Sequence, residues 1–183
     1  INGDVSTVIG TTGGDADFAG GDLVFDWTAF YIPKGTSKVE NIALYMNGED
    51  GSTPVATDIY LFFARDVDGV APLSAGTVNA AGITSCYNLP TNFLGAMKIE
   101  GSATAVGKMK GPAHGNLYIQ GAQSNAGHMN FPILEGEESS SKPGYSKVYV
   151  CGIVDPGGDD LGFKTNVLAN AGVSISTAAT TTT

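Results

Sequence analysis

The segment Thr57-Asp58-Ile59-Tyr60-Leu61-Phe62-Phe63-Ala64 is apolar on both faces of any strand it forms. Side chains alternate along a strand. Ile59, Leu61 and Phe63 therefore project to one side, and Tyr60, Phe62 and Ala64 to the other. A sheet with one face in water alternates apolar with polar residues, so this strand needs cover on both sides. No segment reads as a helix able to supply it. Residues 64–81 carry too much Gly and Pro, and residues 167–171 have room for a single turn. A second sheet is the expected cover on one side, and another subunit is the candidate for the other. Lys147 to Val154 repeats the pattern, with Val148, Val150 and Gly152 on one face and Tyr149, Cys151 and Ile153 on the other. Tyr60, Phe62, Tyr149 and Ile153 are accordingly the candidate subunit-interface residues. A fully buried central strand under covering loops is the competing explanation.

The rest of the chain reads as many short strands separated by Gly, Ser, Asn and Pro. Expected strands lie at 23–32, 39–46, 57–65, 83–87, 93–99, 116–120, 129–134, 147–154 and 173–176, with a weaker one at 162–168. In the first of these, Leu23, Phe25 and Trp27 fall on one side and Asp26 and Thr28 on the other. Pro33-Lys34-Gly35-Thr36 and Asn47-Gly48 are turn signals. Strands at this spacing predict an all-β fold, an antiparallel β-sandwich or barrel. The 183 residues suit one domain, 1–183. Residues 1–21, rich in Gly, Thr and Asp, read as an N-terminal arm with some extended structure near Val5 to Ile9. Thr177 to Thr183 form an Ala/Thr tail, either a frayed end or an arm on a neighbour.

Charge narrows the partners. The net charge is -9 and Arg65 is the single arginine. Nucleic-acid binders need basic stripes to neutralise phosphates, and none is present. An acidic chain is also repelled by anionic membranes, and no apolar run reaches the ~20 residues of a spanning helix. Cys86 and Cys151 read as strand-borne thiols, with a disulfide open if their strands are neighbours. The chain begins at Ile1 rather than Met, so a removed leader stays open.

No catalytic cluster stands out. His114 and His128 sit beside glycines with no third metal ligand nearby. There is no Gly-x-Ser-x-Gly motif and no phosphate-binding loop. Asp66-Val67-Asp68-Gly69 resembles a fragment of a calcium loop, which makes Asp66 and Asp68 weak calcium candidates, but the remaining oxygen ligands are missing. Turn chemistry explains Asp beside Gly equally well. The reading is a non-enzymatic protein that needs no cofactor.

Val39-Glu40-Asn41-Ile42-Ala43-Leu44, then a polar stretch, then Asp58-Ile59-Tyr60-Leu61-Phe62-Phe63, is similar to a pattern in tailed-phage virion proteins of the capsid decoration or cement type. Asn116 to Gly121 and Val148 to Ile153 resemble later strands of such proteins. The resemblance covers about a third of the chain and carries no catalytic residues. It implies a jelly-roll-like sandwich, a homo-oligomer with a trimer favoured, and the major capsid protein as partner. The location it implies is the capsid surface of a virion, the protein itself being made in the host cytoplasm. Alternatives are a tail, fibre or other virion subunit, a carbohydrate-binding β-sandwich using exposed aromatics, and a secreted surface or pilin-like subunit.

Overall fold

A computed structural model of the chain describes residues 7–8, 15–47, 58–80, 92–99, 109–110, 116–120, 133–157, 161–164 and 171–179. Their elements are strands: β1 Thr7–Val8, β2 Asp15–Phe18, β3 Leu23–Pro33, β4 Thr36–Asn47, β5 Ile59–Arg65, β6 Phe93–Ile99, β7 Met109–Lys110, β8 Asn116–Gln120, β9 Ile133–Glu135, β10 Tyr145–Val154, β11 Leu161–Lys164 and β12 Ala171–Ala179. The expected all-β class is the one observed. One sheet has the order β3-β10-β5-β6. A larger one runs β1-β12-β4-β8-β7, with β9 paired to the start of β4, and β11 pairs β2. Every one of these strand pairs is antiparallel.

The turn at Lys34-Gly35 carries the chain from the first sheet into the second. Gly35 supplies the left-handed backbone there, with φ of 104°. The two-faced strands behave as their pattern demands on one side. Ile59, Leu61 and Phe63 of β5 join Val148, Val150 and Val154 of β10, Phe30 and Ile32 of β3, and Met97 and Ile99 of β6 in one buried cluster. Val39 of β4, Leu134 of β9 and Phe18 of β2 close that cluster. Residues of the other two sheets thus pack against the inner face of the four-stranded sheet. Each such side chain contributes roughly 1.5–3 kcal/mol by leaving water.

Strand β3 departs from simple alternation. Leu23 packs on the outer face with Cys151 and Ile153, whereas Phe25 lies in the inner cluster. The expectation that Leu23, Phe25 and Trp27 share a side is therefore corrected. The cause is a bulge: the register against β10 shifts on both sides of the Phe25–Gly152 pair. An extra residue on one strand turns the side chains beyond it to the opposite face. Gly152 makes room for the flip, because a Cβ there would lie 2.3 Å from Phe25 Cε1.

Two terminal expectations also change. Asp15–Phe18, placed in an arm, form β2, and Phe18 is fully buried. Thr177–Ala179, placed in the tail, continue β12 and pair with Val39, Lys38 and Ser37. The expected strand at 83–87 lies outside the described residues, as do Cys86, His114 and His128. Cys151 is fully buried.

Candidate interaction surface

The outer face of the four-stranded sheet is fully covered in one half and only partly covered in the other. Its cover is the segment 66–80, which leaves the end of β5, crosses β10 and reaches β3. Three fastenings hold it. At its start, Val67 and Val70 exchange backbone hydrogen bonds around Asp68 and Gly69. Both central residues have positive φ, 53° and 73°, which makes this a type I′ hairpin turn, the conformation favoured by Asp-Gly. The Asp68 and Gly69 N–H groups donate to the two carboxylate oxygens of Glu137, at 2.7 and 2.8 Å. These bonds hold the Glu137 carboxyl below its ordinary range. In the middle, Asp26 accepts from the Ala75 N–H at 2.8 Å and the Ser74 hydroxyl at 2.6 Å. At the end, Asn79 N–H donates to Leu23 O and Leu23 N–H to Ala80 O.

This strap decides the fate of the four candidate interface residues. Tyr149 and Ile153 of β10 lie on its covered side and are 5% and 6% exposed. Ile153 packs with Leu23, Ala75 and Cys151, and Trp27, Phe62 and Val78 lie against that cluster. Tyr149 and Ile153 are therefore enclosed by their own chain. The competing explanation offered by the sequence, a central strand under a covering loop, describes β10. Burial, and then the neighbouring Asp66 carboxylate, push the Tyr149 phenol above its ordinary pKa. Neither Tyr149 Oη nor Asp66 Oδ1 has a well-formed hydrogen bond.

Tyr60 and Phe62 of β5 lie on the other side. Both are half-buried, and they form a strip with Phe93 of β6, which is 40% exposed. The Tyr60 and Phe62 ring centroids are 6.3 Å apart, and those of Phe62 and Phe93 6.1 Å. Phe93 belongs to the strip because the register between β5 and β6 shifts after Phe63, so that Phe93 pairs with Ala64 and Leu94 packs inward. Alternation alone could not have placed Phe93 there.

An ion cluster bounds the strip at Tyr60. Lys98 Nζ lies 5.6 Å from the Tyr60 ring centroid, 2.6 Å from Asp58 Oδ2 and 2.9 Å from Asp155 Oδ2. All three side chains are less than a quarter exposed. Asp58 first and Asp155 second raise the Lys98 pKa. Lys98, followed by the Gly157 N–H, lowers that of Asp155. The lysine is thus neutralised from within its own chain.

The two calcium candidates do not converge. Asp66 faces Tyr149, while Asp68 is an exposed turn residue whose backbone, with that of Gly69, binds the anionic Glu137. Among the described residues no three His, Cys, Asp or Glu side chains gather as metal ligands would. Comparison with protein-family models, curated proteins and solved structures yields no match.

Proposed function

We propose that this chain is a non-enzymatic virion structural protein. It decorates a phage capsid, associates with copies of itself, and stabilises the shell by bridging capsid subunits. The fold in this reading is a jelly-roll-like β-sandwich, its two larger sheets enclosing the cluster that joins Val39 and Leu134 to the inner face of β5 and β10. A trimer is the oligomer and the major capsid protein the partner that the sequence resemblance implies. The observation that carries the reading is the aromatic strip Tyr60, Phe62 and Phe93, left open by the strap. Phe93 is exposed and Tyr60 and Phe62 are partly exposed, and a contiguous apolar strip that its own chain does not fully cover marks a surface for a partner. Buried apolar area contributes about 25 cal/mol per Å², and only the surplus over the cost of association appears as affinity. Repetition over many equivalent sites on a shell multiplies a weak contact. Binding to the assembled shell alone stabilises it by mass action.

The test is size-exclusion chromatography with light scattering, then co-sedimentation with capsids of the phage whose genome encodes the chain. The expected result is a mass above that of one chain and saturable binding to capsids. A monomer at micromolar concentration that ignores those capsids refutes the proposal.

A further inference from the structure

The strap over β10 is fastened by polar groups more than by packing. Val70 and Leu73 are more than half exposed. What the strap buries is small: Pro72 and Ala75, with Val78 packed on the outer cluster. Its fastenings are the Glu137 carboxylate on the Asp68 and Gly69 amides, Asp26 on Ala75 and Ser74, and the Leu23 backbone. Beneath and beside it Trp27 Nε1, Tyr149 Oη and Asp66 Oδ1 are buried with no hydrogen-bond partner among the described residues. Leaving such groups unpaired costs free energy, which water returns when the site opens. Asp68 and Asn79, the two non-glycine residues with positive φ among the described residues, stand near its two ends, where a moving segment turns. Segments held by few buried apolar contacts and by exposed hydrogen bonds open at lower free energy than the core.

We propose that the strap is a lid, which lifts from β10 and β3 as one unit while the sheets stay folded. Opening joins Leu23, Trp27, Tyr149 and Ile153 to the strip of Tyr60, Phe62 and Phe93, so that one apolar face runs from β3 across β10 and β5 to β6. The motion follows from the fastenings alone. Its use rests on the capsid reading: the docking surface is narrow while the strap is closed and widens when the capsid protein displaces it.

Amide hydrogen exchange of the full chain reads the motion directly. The N–H groups of Val67 and Val70 donate at the start of the strap, Ala75 in its middle and Asn79 at its end. All four should share one opening constant, well above that of Val150 in the central strand β10. Glu137→Gln weakens only the fastening at the start. It should raise the opening of all four amides, Asn79 included, about three- to thirtyfold, while Val150 stays the slower amide and shows the sheet folded. Asp26→Asn repeats the test from the middle fastening. Four amides as slow as Val150, or an Asn79 unmoved by both variants, overturns the lid. A partner that binds the open state gains affinity by the factor through which that state is enriched, so both variants should co-sediment with capsids more tightly than wild type. Capsid binding of unchanged affinity removes the docking role of the lid. Coupled opening in a chain that ignores capsids keeps the lid and removes the capsid reading. Capsid binding without coupled opening does the reverse.

Discussion

Gly152 is the position where a single methyl group tests the packing of the bulge. The substitution is Gly152→Ala. Its Cβ would meet Phe25 Cε1 at 2.3 Å and Cδ1 and Cζ at 2.9 Å each, and Phe25 is itself buried in the inner cluster. Either the ring moves against Val24 and its neighbours or the strands separate. Overpacking of this kind costs about 1–3 kcal/mol. Alanine also restricts the unfolded chain, which offsets about 0.4–1 kcal/mol. The net expectation is a loss of about 1.5 kcal/mol, or roughly a 5 °C fall in Tm for a chain of this length. Phe25→Leu removes Cζ and Cε1, the atom that would lie nearest, and carries its own cost. In the double variant the closest contact is gone, so the two losses should fall short of additivity by about 1 kcal/mol. Denaturant melts of the four proteins measure this cycle. A Gly152→Ala protein as stable as wild type, or strictly additive losses, would refute the account of β3 crossing over Gly152.

The strap, the ion cluster and the inner face each carry a further expectation. Asp26→Ala removes the acceptor for Ala75 N–H and the Ser74 hydroxyl and should cost about 2 kcal/mol; in a Cys86→Ser background it should also speed labelling of Cys151, which the strap buries. Lys98→Met leaves Asp58 and Asp155 facing each other and should cost about 1–2 kcal/mol near pH 7, between the values of exposed and buried pairs. The pH dependence has a definite sign. The Asp155 pKa is lowered in the fold, so its contribution is present above the unfolded value near 3.9 and lost as pH falls through the folded one. The Lys98→Met deficit should therefore shrink in acid melts. Ser146→Ala removes a buried hydroxyl with no partner among the described residues and should leave stability unchanged or raise it by up to about 1 kcal/mol in denaturant titration.

How much of this was legible in the residue order depends on range. Short apolar runs bounded by turn residues located β4, β5, β8 and β10, because that signal is confined to a few consecutive residues. Asp68-Gly69 was readable as turn or cation loop, and the structure shows a type I′ turn there with Glu137 on its amides. The bulges at Phe25 and Leu94 left no trace, since one extra residue reverses a face without altering composition. The candidate interface shows the limit most clearly. Tyr60 with Phe62 and Tyr149 with Ile153 have the same pattern on adjacent strands. The pattern states that each outer face needs cover but not which segment supplies it. That was set by the direction of the strap. Asp26 stands on β3, so the segment leaving β5 crosses β10 to reach it and passes no part of β6. Had the acceptor for Ala75 stood on β6, the same strands would have left Tyr149 open and hidden Phe62. The surface therefore depends on where the strap is fastened, at Asp26 and at the Leu23 backbone of β3, and hydrophobic periodicity had marked Asp26 only as a polar position in a strand.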